Sequence, residues 1–356
     1  MVANMTVPTM TNLELHLLND FQRDFPLVPA PFGVLAERLG VCETEVLKTL
    51  THLQTGGKVS RVGAVFKPHS IGYSTLAALA VPADELEEIA KLVNGYIEVN
   101  HNYEREHHYN LWFVITAVNE ARVLQVLAEI ESSTGYQSLY LPMHEDFHID
   151  LGFDLSQSQP PKGHSVEIIK STRDFPPQTH HTLSKLSEVA LIGAIQCGLS
   201  LVPRPFAELG ASIGLAENDV IAGIAQLVEQ GVIKRMGVVV RHHELGYRAN
   251  AMVVWDIPDE QVSELGHRIG SFDFITLCYR RPRRLPTWPY NLFTMIHGQH
   301  RDEVLSLVEQ LKARCGLKHV ASEVLFSSRC FKQCGARYVV NSIAEPVKEQ
   351  RYANAG

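Results

Sequence analysis

Apolar positions recur three and four residues apart through Phe32–Val59, FGVLAERLGVCETEVLKTLTHLQTGGKV, the spacing of a helix with one buried face. The pattern breaks at Gly40-Val41, restarts behind the acidic stretch Glu43–Glu45, and gives way after Gly56-Gly57 to alternating β-branched residues. Helix, tight turn, helix and strand follow from it, which is a winged helix-turn-helix. The same layout returns in Phe206–Ile233, FAELGASIGLAENDVIAGIAQLVEQGVI. The repetition continues with SRVGAVFKPHSIGY, ending at Tyr73, and KRMGVVVRHHELGY, ending at Tyr247. Arg61 pairs with Arg235, Gly63 with Gly237 and His69 with His243.

Beyond each wing the periodicity switches between two and 3.6 in matched order. STLAALAV and ANAMVVWDI read as strands, and ADELEEIAKLVN and DEQVSELGHRIG as amphipathic helices. YIEVNHNYER and DFITLCYRR, then YNLWFVITAV and YNLFTMIHG, are further strands. A second helix and closing strands complete each half, in GYQSLYLPMHEDFHIDLGF and GLKHVASEVLFSSRCFKQ. The fold class is therefore α+β: two winged helix-turn-helix domains, each followed by a ferredoxin-like βαββαβ domain, arranged as a pseudo-dimer with sheet packed on sheet. The boundaries read as 12–66 and 67–154 for the first pair, 155–182 for a linker rich in Pro, Ser and Gln, and 183–240 and 241–345 for the second pair.

Charge decides against the use that a helix-turn-helix first brings to mind. The net charge is −7, whereas a duplex binder neutralises phosphates with Lys and Arg. The first recognition helix, ETEVLKTLTHLQT, has one lysine beside two glutamates, and the second, ENDVIAGIAQLVEQ, has no basic residue. A structural role for these helices is expected, with no nucleic acid as partner. No apolar run approaches the roughly 20 residues that span a bilayer, and the start lacks a basic flank and apolar core, so no membrane association and a cytoplasmic location are expected. The six cysteines (Cys42, Cys197, Cys278, Cys315, Cys330, Cys334) form no disulfide framework and read as free thiols in a reducing compartment.

Candidate chemistry gathers in two matching stretches. In the first half it is His101-Asn102-Tyr103-Glu104-Arg105-Glu106-His107-His108-Tyr109; in the second, Tyr279-Arg280-Arg281-Pro282-Arg283-Arg284 leads on to Trp288. Aligning Tyr103 with Tyr279 sets Arg105 opposite Arg281 but His101 opposite Leu277. Strand alternation puts His101, Tyr103 and Arg105 on one face and Asn102 on the other. Guanidinium groups hold carboxylates in bidentate fashion and stay charged at any relevant pH, and Trp288, Tyr279 and Tyr290 supply flat apolar surface. A pocket for a flat, multiply anionic ligand is one reading; a solvated hairpin whose arginines pair with nearby Asp or Glu is the other. His101 and Tyr103 are candidate proton donors. His107 and His108 fall near the hairpin tip, where solvent exposure is expected, and His144 and His148 are weak evidence for a metal site. No phosphate-binding glycine loop appears, and nothing points to a nucleotide or flavin.

At these residues the chain resembles the sirohaem decarboxylases, relatives in fold of the Lrp/AsnC regulators, and in particular a fusion of the D-type and L-type proteins of haem d1 biosynthesis. RVGAVF, HNYERxHxYNLWF and FHIDLGFDL carry the likeness in the first half; VVVRHHELGYRANAMVVWDI, LCYRRxRxLPxWPYNLFTMIHG and LFSxRxFKQCGARY carry it in the second. It covers nearly all of residues 12–340. The resemblance implies non-oxidative loss of two acetate carboxyl groups from sirohaem, giving didecarboxysirohaem, with no added cofactor because the macrocycle takes up the electrons. It implies that His101, Tyr103 and Tyr279 are catalytic and that Arg105, Arg280, Arg281, Arg284, Trp288, Arg61 and Arg235 bind substrate. There is no dedicated metal site; His101, His242 or His297 would ligate the iron that enters with the substrate. A homodimer and related decarboxylase subunits are the expected partners. The competing readings are a non-catalytic tetrapyrrole carrier or sensor and an Lrp/AsnC-like transcription regulator.

Overall fold

A computed structural model describes residues 10–67, 70–149, 184–241 and 249–338. In the first winged segment Thr11 and Glu14 cap α1 (Asn12–Asn19) reciprocally, which satisfies donors that a helix start leaves open. Pro31 opens α2 (Pro31–Leu39) and Gly40, at φ 66°, closes it, the two residues best suited to those ends. Helix α3 (Glu43–Thr55) and strand β1 (Val59–Phe66) follow. The first ferredoxin-like half contributes β2 (Tyr73–Leu79), α4 (Leu86–Asn94), β3 (Val99–Arg105), β4 (Leu111–Ala117), α5 (Glu120–Thr134), β5 (Leu139–Pro142) and β6 (Glu145–Ile149).

The second half repeats the series: α6 (Lys185–Ile195), α7 (Pro205–Ile213), α8 (Glu217–Glu229) and β7 (Ile233–Val240) make the wing. Strand β8 (Ala249–Trp255), α9 (Val262–Gly270), β9 (Ile275–Arg280), β10 (Leu292–Gly298), α10 (Arg301–Cys315) and β11 (Ser322–Gln333) make the sheet domain. The linker placed at 155–182 lies outside the described residues.

The two winged segments form one body. Strands β1 and β7 pair antiparallel with Gly63 opposite Gly237, and one apolar cluster runs from Leu17 and Phe32 to Phe206 and Val240. Glycine is required at Gly63, where a Cβ would sit 2.8 Å from the Gly198 Cα. The recognition helices keep the acidic first turns read from sequence, and Glu217 at the start of α8 is held by Arg204.

The closing strands are exchanged between the halves, a feature absent from the expected βαββαβ units. The nine-stranded order is β5-β2-β4-β3-β11-β8-β10-β9-β6. Strand β5 pairs with β2 of its own half while β6, just beyond, pairs with β9 of the other. Strand β11 pairs with β8 through Phe326 and with β3 from Ser327 onward. Each exchange covers an edge that β3 or β9 would otherwise leave open. One apolar cluster lies between each sheet and its own helices. A further cluster, with Leu76, Trp112 and Leu141 from one half and Met252, Tyr279 and Phe293 from the other, fills the space between the two sheets.

Trp288 sits in that inner core at 1 % exposure, with ring contacts to Trp112 (5.3 Å), Tyr290 (5.0 Å) and His107 (5.6 Å). Its indole N–H has no acceptor among the described residues. Trp288→Phe loses packing worth about 1–2 kcal/mol but removes a buried donor that costs about 1–3 kcal/mol unpaired. Urea denaturation is therefore expected to shift by less than about 1.5 kcal/mol in either direction. Among the described residues no helix is long and apolar enough to cross a membrane.

Candidate functional site

Strand β3 obeys the alternation read from sequence. Asn102 points to the helix layer and donates to the Ala90 carbonyl (3.3 Å) and to Asn94 (3.0 Å). His101, Tyr103 and Arg105 share the opposite face. The Tyr103 hydroxyl lies 3.4 Å from His101 Nδ1, and the two rings stack at 14° with centroids 6.0 Å apart. Arg105 follows, donating from Nη1 to the Leu325 carbonyl at 3.0 Å, with its guanidinium 5.9 Å from the Tyr103 ring centre.

The second half reproduces this arrangement around Tyr279 and Arg281. The Arg281 guanidinium lies 4.5 Å from the Tyr279 ring centre and donates to the Leu141 carbonyl. Leu325 belongs to β11, which crosses to the other half, and Leu141 to β5, which stays with its own; each inward arginine thus reaches a main-chain carbonyl of the opposite half. Tyr103 faces Cys330 across the ladder, and Tyr279 faces Asp146. Leu277 occupies the place of His101, so the pseudo-symmetry stops short of the histidine.

The arginines divide sharply by partner. Arg105 and Arg281 are each 8 % exposed, and among the described residues neither forms an ion pair with a carboxylate. Arg61 on β1 is part-buried, donates to the Ala64 carbonyl at 3.0 Å, and has no described carboxylate partner. Burial pushes the pKa of all three down from the usual guanidinium value. Arg280 and Arg283, by contrast, pair with Asp259 at 3.0 and 2.7 Å, and Arg283 also with Asp256 at 2.8 Å. Arg284 donates to the Tyr140 carbonyl at 2.7 Å and lies over that ring. Arg235 donates to the Gln22 carbonyl. The structure thus brings Arg61, His101, Tyr103 and Arg105 together, sets Tyr279 and Arg281 in the mirror position, and leaves Arg280 on an outer ion pair.

Burial, with the Arg61 charge second, pulls the His101 pKa from 6.5 to about 4, so the imidazole is neutral at neutral pH. Burial also keeps the Tyr103 phenol protonated, its pKa pushed up. As pH falls through 6.5 the unfolded chain takes up a proton at His101 that the folded chain refuses until about pH 4. The contribution to stability is therefore whole above pH 6.5 and lost toward pH 4, about 3 kcal/mol in all. His101→Gln is expected to lose less stability than the parent between pH 7 and pH 4 by roughly that amount, read by urea denaturation at each pH.

Other histidines depart from expectation. His107 is half-buried rather than exposed, because Glu323 reaches it from β11: Nε2 lies 2.7 Å from the carboxylate, and Nδ1 accepts the Tyr109 N–H at 2.9 Å. His297 on β10 is 2.9 Å from the Thr276 hydroxyl. His242 lies outside the described residues. Among the described residues no group of three or more His, Cys, Asp or Glu side chains is placed to hold a metal.

Sequence reasoning missed two features. The chain leaving β11 turns across Arg61, where the Tyr338 N–H donates to Gln196 Oε1 at 2.8 Å and the Tyr338 ring packs on Phe66. A recess of about 320 Å³ opens between β6 and the winged body, lined by Arg23, Asp146, His148, Lys234 and Arg235. A second of about 330 Å³ shares Asp146 and Lys234 and adds Lys67. Aligning the two halves residue by residue sets Arg235 opposite Arg61 and Lys234 opposite Ser60 beside it, a signal that the sequence does carry for two of these cations.

The helix-turn-helix segments, residues 14–59 and 188–234, match the family model of the siroheme decarboxylase NirDL-like HTH domain. Residues 70–148 and 244–332 match that of the AsnC-like ligand binding domain. The chain is 42% identical over 328 residues to the siroheme decarboxylase NirDL subunit of Paracoccus denitrificans strain Pd 1222, covering 92% of this chain and 98% of that one. It is 32% identical over 334 residues to the siroheme decarboxylase of Hydrogenobacter thermophilus, covering 94% and 97%. A crystal structure of siroheme decarboxylase NirDL superposes with a TM-score of 0.64 at 29% identity, covering 92% of this chain and 95% of that one. A second, in complex with an iron-uroporphyrin III analogue, gives 0.62 at 28% identity, covering 92% and 93%.

Proposed function

The chain belongs to the siroheme decarboxylase family, and we propose that it acts on sirohaem, removing two acetate carboxyl groups without an oxidant to give didecarboxysirohaem. The observation that carries this reading is the set of inward arginines, buried Arg105 and Arg281 and part-buried Arg61, whose described oxygen acceptors are main-chain carbonyls, with the Met295 sulfur 4.0 Å from Arg105 Nη2, and which form no ion pair with a described carboxylate. A buried charge is costly without a counter-ion, and a ligand with many carboxylate arms supplies several at once.

Each arm reacts as R–CH₂–COO⁻ plus H⁺ giving R–CH₃ plus CO₂. The C–C bond breaks, its electron pair passes into the macrocycle, and one proton comes to the arm carbon. Arg61 and Arg105 hold carboxylates beside His101, and Tyr103 stands within reach of the same imidazole. His101, held neutral by burial and by Arg61, gains a stabilising neighbour for its protonated form when carboxylates enter. It then acts as the proton donor, with Tyr103 supporting it. In the second half Tyr279 and Arg281 can hold an arm, but Leu277 offers no proton. The sirohaem iron is part of the substrate, and His297 is the described histidine left as a candidate ligand once His101 serves as donor.

The test is anaerobic incubation of the purified protein with sirohaem, followed by mass spectrometry of the tetrapyrrole. Successive losses of carbon dioxide are expected; an unchanged mass with a shifted absorbance spectrum would make the protein a carrier.

A further inference from the structure

Arg61 on β1 and Arg235 on β7 hold equivalent places in the repeat, and the turns they face are equivalent too. Phe21-Gln22-Arg23-Asp24 leads to Leu27-Val28-Pro29 as Ile195-Gln196-Cys197-Gly198 leads to Leu201-Val202-Pro203. Each turn is tied to the wing strand of the opposite half in the same way. Phe25 N–H donates to the Met236 carbonyl (3.3 Å), and Leu199 N–H to the Val62 carbonyl (2.7 Å). The two arginines nevertheless take different acceptors. Arg235 donates to the Gln22 carbonyl, whereas Arg61 passes over the matching Gln196 carbonyl and donates to that of Ala64 at 3.0 Å.

What stands between Arg61 and Gln196 is the chain that leaves β11. At Gly335 a Cβ would lie 3.2 Å from Arg61 Nη1 and 3.3 Å from the Gln196 carbonyl oxygen. The glycine therefore fills the gap between two groups whose counterparts bond in the other half. The segment is pinned on both sides. Cys334 N–H donates to the carbonyl of Asn100, the residue before His101, at 2.8 Å. Tyr338 is fixed to the winged body through Gln196 Oε1 and the Phe66 ring. Gly198 closes on the stem of Arg61, since a Cβ there would meet the Arg61 Cβ at 2.9 Å.

We propose that Cys334–Tyr338, at the end of the second half, is a strap that positions Arg61 for a ligand carboxylate, so that the site beside His101 is completed by chain from the other half. The inference rests on the tetrapyrrole reading above and adds positioning residues to its site. An arginine closed on a wing carbonyl must give up that bond before it grips a carboxylate. Held away from that carbonyl, Arg61 keeps Nη1 without an acceptor among the described residues, and less reorganisation opposes binding.

Gly335→Ala is the sharpest probe. The φ at Gly335 is not positive, so alanine fits the backbone, while its methyl group must push the guanidinium aside. The experiment titrates the full chain with iron-uroporphyrin III, following absorbance, for the parent, Gly335→Ala, Arg61→Ala and the double variant. Gly335→Ala is expected to weaken binding about three- to tenfold in the parent. In the Arg61→Ala background the same change should cost less than about twofold. Arg61→Lys, which keeps a charge but not the fork, closes the cycle if Arg61→Ala binds too weakly to titrate. Tyr338→Ala loosens the strap from the wing and should show the same dependence on Arg61. Equal losses in both backgrounds would make the strap merely structural, and parent-like affinity in Gly335→Ala would mean that it does not position Arg61; either overturns the proposal. Parent-like affinity in Arg61→Ala would instead remove Arg61 from the carboxylate site and the proposal with it. The decarboxylase reading is decided separately, by carbon dioxide loss from sirohaem with the parent protein.

Discussion

Arg105→Leu is expected to fold at least as stably as the parent while binding iron-uroporphyrin III about a hundredfold more weakly, the loss of one or two charge-assisted hydrogen bonds. The two effects have opposite signs for one reason. Arg105 is buried with its Nη1 on a carbonyl, and among the described residues its Nε has no acceptor and its charge no counter-ion. An apolar leucine removes that penalty, as apolar replacements of buried ionic groups often do. What leucine cannot replace is the bidentate grip on a carboxylate.

A purely structural arginine, needed to fasten β11 through the Leu325 carbonyl, would behave otherwise: its loss would lower stability and binding together. Thermal unfolding and ligand titration of the one variant separate the cases. Arg281→Leu tests the mirror position, where the same hydrogen bond reaches Leu141. If both variants bind as tightly as the parent, the buried arginines are not the carboxylate site.

The division of labour among the arginines was partly legible in the chain. Alternation along β9 places Tyr279 and Arg281 inward and Arg280 outward, and that much follows from a period of two. What the loop sequence does not contain is Asp256 and Asp259, which lie some twenty residues upstream and neutralise Arg280 and Arg283. Four arginines alike in sequence are therefore unlike in charge balance.

Trp288 eluded the reading for the same reason. In a Pro- and Arg-rich loop it reads as a surface ring offered to a ligand, but its neighbours come from both halves and bury it completely. The strand exchange was hidden because β5 and β6 are separated by Met143 and His144 alone. The repeat itself was plain, since glycines, arginines and periodicities recur together, whereas which half a strand completes is fixed by the packing of one half on the other. The placement of His101, Tyr103 and Arg105 on one face needed only local geometry.

Local geometry also sets the second large effect. His101→Ala is expected to slow decarboxylation by about 10²–10³-fold with affinity for iron-uroporphyrin III kept within about threefold. Tyr103→Phe, which keeps the ring and loses the hydroxyl 3.4 Å from Nδ1, should cost about tenfold or less. Burial and Arg61 hold the imidazole neutral, and in the proposed reaction carboxylates held by Arg61 and Arg105 would let it carry a proton. In that proposal binding energy is coupled to acid strength: the group would become a donor when there is an arm to protonate. Single-turnover rates in D₂O test this directly, because each new methyl group should carry one deuterium delivered through the site. Parent-like rates in His101→Ala would move the proton's source elsewhere. A slow reaction that small buffer acids accelerate in proportion to their concentration would place it at His101, since an added acid can restore a missing proton but not a missing grip on the substrate.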